Sequence, residues 1–438
     1  MSHDVLVVGA GPAGSVVAGR LAAAGARVVL VGPPARMGWE GLSKRSVALL
    51  AEEGLDSSAG IIDAPLPRSG EWAGRPVEGL EWLVERRALA EALRFRARAA
   101  GVDDRRDTLT SLEWERGKWR GGLRGGDRLA APLAIEARGR RGPERHGPLL
   151  LAVGRQFRRV GSAAVQPGTR IHAADFGWCW WAARGDALWV QVVGQPRSGR
   201  ADPAMRPPAA WIAAAAAQIP ALAQALAGAM PDGDLVARPA HARLSLRPSG
   251  ATRWCVGDAA FALDPLSGQG VYEALRGARL VATAVQSALR GDDARPALRF
   301  VALRQEEAWA GGVRAAAAFY RENAGRGGFW PDTAAAYERL LPPTATVAPR
   351  VERRPVLCDG LFQEREVIVT AQHPRGVWHV ADVPLVLLKG YLESSPHATV
   401  TGAAAAVHRP EAAVAAAIHW LQQTGIAARR LRRSAPGG

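Results

Sequence analysis

Lysine, cysteine and long apolar runs are all scarce in this chain of 438 residues, and each shortage narrows what it can be. Of its 56 basic side chains only Lys44, Lys118 and Lys389 are lysines, so the formal net charge of +15 rests almost entirely on arginine. The three cysteines, Cys179, Cys255 and Cys358, have neither disulfide nor metal-ligand spacing, which predicts a reduced, cytoplasmic protein without a metal centre. No stretch approaches the roughly 20 apolar residues of a bilayer span. The first strand starts within four residues of Met1, so neither membrane attachment nor a signal peptide is expected. A hydrophobic content of 48% and a mean hydropathy of −0.06 describe a globular chain with room for two or three domains. Alanine, arginine and glycine are all abundant, so compositional bias is one reading of the charge; the other is a basic surface that steers an acidic partner. No nucleic-acid motif is present, and none is expected as a ligand.

What is present begins at once. Asp4-Val5-Leu6-Val7-Val8 reads as a buried strand that breaks into Gly9-Ala10-Gly11-Pro12-Ala13-Gly14 and then into a small-residue helix, Gly14 to Ala24. That order places a pyrophosphate on a helix N-terminus. Gly9 allows the tight turn, Gly11 the approach of backbone N–H groups to phosphate, and Gly14 close helix–strand packing. A second strand, Arg27 to Val31, follows without the acidic residue that usually binds the adenosine ribose; it ends in Gly32-Pro33-Pro34. Arg36 or Glu40 is a candidate for that contact.

A second constellation lies downstream. Trp254-Cys255-Val256-Gly257-Asp258 is a strand ending in an aspartate placed for a sugar-like hydroxyl chain, and Asp264-Pro265-Leu266-Ser267-Gly268-Gln269-Gly270 leads into a helix from Val271 to Leu289. A glycine-rich helix start offers free N–H donors and a positive dipole to an anionic ring edge.

Together these segments resemble the FAD proteins of glutathione-reductase type, specifically the aromatic hydroxylases, geranylgeranyl reductases and flavin-dependent halogenases. Val84-Glu85-Arg86-Arg87-Ala88-Leu89 is similar to that family's R-x-x-L helix start, and Ala137-Arg138-Gly139-Arg140-Arg141-Gly142 to its A-T-G-R segment. The resemblance implies FAD as cofactor. It implies a pyrophosphate on Gly9, Gly11, Pro12, Ala13 and Gly14, with Arg36 and Arg86 nearby. It also implies the ribityl chain on Gly257 and Asp258, and the flavin ring edge on Pro265, Gly268, Gln269 and Gly270.

The implied architecture is α/β: a Rossmann FAD-binding domain with an interleaved mixed-sheet substrate domain and a small C-terminal α+β module of winged-helix-like character. Residues 1–150 would form the first part of the FAD-binding domain, with a substrate-side segment at about 70–85. Residues 151–245 would form the substrate domain, 246–330 the second FAD part with a long helix, and 344–438 the C-terminal module. Ala209 to Ala229 reads as a helix interrupted at Pro220, and Arg295 to Asn323 as a long helix weakened at Gly311-Gly312, with a linker at Pro342-Pro343. In the last part, short strands at Val367–Thr370 and Trp378–Val380 precede helices from Pro384 and Pro410.

Among the chemistries this family performs, halogenation needs a lysine that this chain lacks between Lys44 and Lys118, and arginine does not readily give up its proton to replace it. Isoprenoid reduction needs an apolar tunnel, whereas the substrate region is rich in tryptophan. Trp178 and Trp180 share one strand face and could wall an aromatic cavity, with Trp181 on the other. Hydroxylation of an electron-rich ring by a flavin C4a-hydroperoxide requires mainly exclusion of water and positioning, so no base is obligatory. Glu40, His172 and His241 are the titratable candidates, each also readable as structural.

The missing lysine and the extra C-terminal module resemble the maturation monooxygenases of tryptophan-derived quinone cofactors, which hydroxylate a tryptophan within a protein for cysteine tryptophylquinone formation. The resemblance implies a protein or peptide substrate with an acidic surface, and an external reductant, NAD(P)H or a partner reductase. The alternatives are a small-molecule aromatic hydroxylase, a halogenase, a geranylgeranyl-reductase-like enzyme, and a non-catalytic flavin-binding chaperone.

Overall fold

The computed structural model describes residues 3–56, 60–141, 144–159, 166–196, 208–245, 249–341, 348–395 and 397–426. The chain divides into two compact units, residues 1–292 with 301–342, and residues 293–300 with 343–438.

The first unit is built on two sheets. One is five-stranded and wholly parallel, in the order Arg253–Cys255, Leu133–Glu136, Val5–Val8, Val28–Val31, Asp103–Arg105. Its central strands are apolar at every position because both faces are covered. Leu6, Val8, Val29 and Val31 pack on the antiparallel meander Leu109–Glu115, Lys118–Leu123, Arg128–Ala131. The helix Pro12–Ala23 starts with proline at its first turn, where no N–H partner is lost. These are the elements expected at the N-terminus.

The second sheet has nine strands and is mixed. Leu151–Arg159, Ala187–Gly194, Gly177–Arg184 and Gly168–Ala174 run antiparallel in that order, and Leu66–Trp72 joins parallel to the last of them. Register fixes which side chains share a face. Trp180 stands opposite Gln191 and Ile171, and Ile171 opposite Gly70. The helices Pro208–Gln218 and Pro220–Leu226 cover the other face, where Trp181, Val190 and Val192 meet Trp211 and Leu222. The break between them falls at Ile219, just before the proline.

The long helix expected from Arg295 to Asn323 runs from Ala294 to Glu322. Gly311-Gly312 does not interrupt it: the helix is continuous there. A Cβ at position 312 would stand 2.3 Å from Leu263 Cδ2, so that glycine is a notch for close packing. The expected linker at Pro342-Pro343 lies outside the described residues.

The second unit contains the hairpin Arg350–Cys358/Leu361–Val369 and the helices Leu385–Ser394, Val400–Val407 and Glu411–Gln423. Ile368, Leu388, Val414, Ile418 and Leu421 form its core. The nine-residue strands are much longer than the short strands expected, and the middle helix was not foreseen. Alternating arginine and glutamate along the hairpin hides its period, since Arg353 stands directly opposite Glu366.

Candidate functional site

At the first bend, Gly9 sits at φ +112°, and a Cβ there would come within 2.3 Å of the Ala137 backbone. A Cβ on Gly14 would lie 1.8 Å from Gly9 O. The backbone is so crowded that only glycine fits at either position. Between them a Cβ on Gly11 would meet nothing within 4 Å. Gly11 therefore faces free space at the start of the Pro12–Ala23 helix, as a phosphate cradle requires.

The second bend adjoins the first: a Cβ on Gly257 would be 2.8 Å from Ala13 Cβ. Gly257, Asp258, Phe261, Leu263, Gly270 and Glu273 line one small cleft. Asp258 is half-exposed, with its carboxylate 3.4 Å from Arg140 Nε. Arg140 also donates to the carbonyls of His241 and Leu263, at 2.5 and 3.5 Å, so it ties the segment after Glu136 to this bend. Gly268 has φ +60°, and neither Gly268 nor Gly270 has an atom within 4 Å of where a Cβ would stand. The turn opens into the helix Gly270–Leu289, beside Gln269. Open glycine backbone, a helix start and a carboxylate on one cleft are what the ribityl chain and ring edge of FAD need, and these residues fit that group.

Of the other expected positions, Glu40 lies on the strand Trp39–Leu42 and pairs with Arg86 at the start of the helix Arg86–Ala99. Arg36 is exposed. Arg238 joins this cluster from the second sheet, donating to Met37 O at 2.7 Å. Its guanidinium is pushed down to about 10, first by burial and then by Arg86.

The carboxylate missing from the end of the second strand has a structural counterpart on the next one. Asp104 stands beside Leu30 in the parallel register and holds the buried Arg94 at 2.5 and 3.1 Å. Arg94 in turn donates to the carbonyls of Gly32 and Pro33, at 2.9 and 3.3 Å. This pair pins the chain as it leaves the strand.

The tryptophans divide. Trp178 is only 2% exposed, within a cluster containing Trp72, Trp330 and Tyr320, and its indole donates to Tyr320 Oη at 3.1 Å. It is core, not cavity wall, because the helices Ala294–Glu322 and Phe329–Glu338 cover it. Trp180 is partly exposed on the same sheet face and donates to Glu81 Oε2 at 3.2 Å. Arg68 Nη1 is 3.7 Å from Glu81 Oε1. The Trp39–Leu42 strand lies close by, since a Cβ on Gly41 would be 2.4 Å from Glu81 Oε1.

The two histidines are not brought together. His172 is on the opposite sheet face, stacked on Trp181 at 5.2 Å, and burial lowers its pKa. His241 Nε2 lies 3.1 Å from Glu144 Oε1, next to the fully buried Arg243; burial lowers it too, against the pull of Glu144.

Sequence reasoning missed Glu81, Arg238, Arg94 with Asp104, and a buried network around Asp264. Asp264 accepts from Tyr337 Oη at 2.6 Å, Tyr320 Oη at 3.1 Å and Leu266 N at 2.9 Å. Only the Asp-Pro pair hinted at this, as a cap for the turn Pro265–Ser267. Among the described residues, no grouping of three or more His, Cys, Asp or Glu is placed to hold a metal ion, and no helix is long and apolar enough to cross a membrane.

The FAD binding domain family matches residues 2–109. The solved structure of a peptidyl tryptophan dihydroxylase, QhpG, essential for tryptophylquinone cofactor biogenesis, is similar over 97% of this chain and 100% of its own, with a TM-score of 0.82 and 29% identity. The flavin-dependent halogenase CmlS shares the fold over 97% of this chain and 95% of its own, with a TM-score of 0.70 and 16% identity. The myxobacterial chondrochloren halogenase CndH shares it over 76% of this chain and 86% of its own, with a TM-score of 0.64 and 22% identity. No curated protein matches by sequence.

Proposed function

We propose that the chain is an FAD-dependent monooxygenase that hydroxylates a tryptophan side chain of a partner protein during biogenesis of a quinone cofactor. The observation that carries this reading is the full-length likeness to a tryptophan dihydroxylase, which includes the C-terminal unit. The shortage of lysine, with none between Lys44 and Lys118, speaks against halogenation.

When bound and reduced by the external donor, FAD would supply the two electrons that activate dioxygen, one oxygen atom of which goes to the ring and the other to water. The protein's part is to bind, orient and exclude water. Gly11 and the Pro12–Ala23 helix start hold the pyrophosphate, with Gly9, Ala13 and Gly14 shaping the turn. Arg86, held by Glu40, and the neighbouring Arg36 and Arg238 supply positive charge on that side. Asp258 holds the ribityl hydroxyls, and the Pro265–Gly270 turn receives the ring edge. On the inner face of the nine-stranded sheet, Glu81 already accepts an indole N–H from Trp180, and Arg68 keeps its carboxylate charge compensated. The same carboxylate chemistry suits a substrate indole laid against Trp180. An electron-rich ring needs orientation more than acid–base help. The formal charge of +15 suits an acidic partner surface. Reducing equivalents come from NAD(P)H or a partner reductase.

The test is to incubate reduced, FAD-loaded protein with oxygen and candidate partner polypeptides, and to map added oxygen by mass spectrometry. Oxygen on a single tryptophan of the polypeptide is expected, with turnover falling as salt rises. Oxygen appearing only on free aromatics, with every polypeptide unmodified, would overturn the protein-substrate reading.

A further inference from the structure

Asp264 has no exposed surface, yet the three donors that converge on it are all neutral. They come from different parts of the first unit. Tyr320 belongs to the long helix, Tyr337 to the helix Phe329–Glu338, and the Leu266 amide to the turn that Asp264 itself caps. Ser267 Oγ adds a bond to Asp264 O at 2.8 Å. The network extends further. Trp178 on the inner sheet face donates to the Tyr320 hydroxyl, and Tyr337 Oη accepts from Ala242 N at 3.2 Å. The charged groups on this side are Arg140, whose guanidinium favours the carboxylate, and Asp258, with which Arg140 is paired.

We propose that Asp264 is the positioning residue of the flavin loop, a buried carboxylate whose charge sets how strongly the helix start at Gly270 prefers the anionic, reduced form of FAD over the oxidised form. The inference rests on the reading that the Pro265–Gly270 turn receives the flavin ring edge. A helix N-terminus carries roughly half a positive charge. A carboxylate in the turn immediately before it opposes that charge when ionised and leaves it intact when protonated. Burial pushes Asp264 up to about 6, against the hydrogen bonds from Tyr337, Leu266 and Tyr320. Its folded-state pKa is therefore above the unfolded one. The stability it contributes is complete in acid, below about pH 4, and is lost as pH rises through about 6. The hydroxyls of Tyr320 and Tyr337 make the ionised form tolerable at neutral pH.

The experiment measures the dissociation constants of oxidised and of reduced FAD between pH 5 and 8, for the wild type and for Asp264→Asn, so that the flavin's own ionisation cancels in the comparison. At pH 8 the variant is expected to prefer reduced FAD by about tenfold more than the wild type. At pH 5 the two should agree. Infrared difference spectra should show a protonated carboxylic acid in the wild type that titrates near pH 6 and is missing from the variant. Tyr337→Phe removes one donor to the carboxylate and should move to higher pH both that titration and the pH at which the preference for reduced over oxidised FAD changes, whereas a purely structural carboxylate would move only the first. An Asn variant whose preference tracks the wild type at every pH would overturn the proposal. If that variant does not fold, a Tyr337→Phe protein whose carboxyl titration moves while its pH profile of FAD preference stays with the wild type would do the same. Gly270→Ala separates the underlying reading: if it leaves FAD affinity untouched, the assignment of the turn has failed. If it weakens FAD while Asp264→Asn changes nothing, only Asp264 has been misjudged.

Discussion

The two glycine-rich bends of the first unit look alike in sequence but are glycine for opposite reasons. At the first, Gly9 and Gly14 have no room, because a Cβ would enter the protein's own backbone. At the second, Gly270 has nothing but room, and Gly268, open as well, is held to glycine by its φ of +60°. Gly9 and Gly14 are therefore required by the fold, whereas the open Gly11 and Gly270 answer to what lies against them. A glycine motif read from sequence does not distinguish these cases, and variants at the two bends should behave differently.

The largest effect is expected at the first bend. Gly14→Val drives a branched side chain into Gly9 O and should cost on the order of 4 kcal/mol or more, enough to lose both folded protein and FAD. A folded, fully yellow variant would refute the packing argument. Behind the same bend, Arg94→Met leaves Asp104 as a buried, partly uncompensated charge, at about 3–5 kcal/mol by thermal or denaturant unfolding. At the second bend the loss should fall on binding. Asp258→Ala should weaken FAD by about 1.5–3 kcal/mol through a lost charge-assisted hydrogen bond, as titration of the apoprotein would show. Gly270→Ala sharpens the contrast most and perturbs the fold least. Its stability should stay within about 0.5 kcal/mol of wild type, while FAD affinity drops measurably; a fall in stability without a fall in affinity would erase the distinction.

The same contrast explains what could be read from the sequence. The first bend was legible because a fully buried strand, three glycines and Pro12 are consecutive, and local order carries the whole signal. The parallel fold and the Gly270–Leu289 helix followed from similar runs. Asp104 was not legible as the partner of Arg94, because their meeting depends on the register of the strand Asp103–Arg105 beside Val28–Val31. Nor could Asp264, Tyr320 and Tyr337 be joined, since they lie on three elements brought together only by folding. Trp178 and Trp180 were placed on one face by alternation, but alternation does not say that two helices close over the first and spare the second. The two histidines looked equivalent in sequence and ended on different layers.

The notch at Gly312 has a mechanical consequence. Leu263 sits in it one residue before Asp264, so the long helix and the turn engage like a key in its slot. A slip of one residue would rotate the helix by about 100° and raise it about 1.5 Å, presenting Val313 where Gly312 now yields. The depth at which the turn rests is thus gauged by a missing methyl group on the long helix.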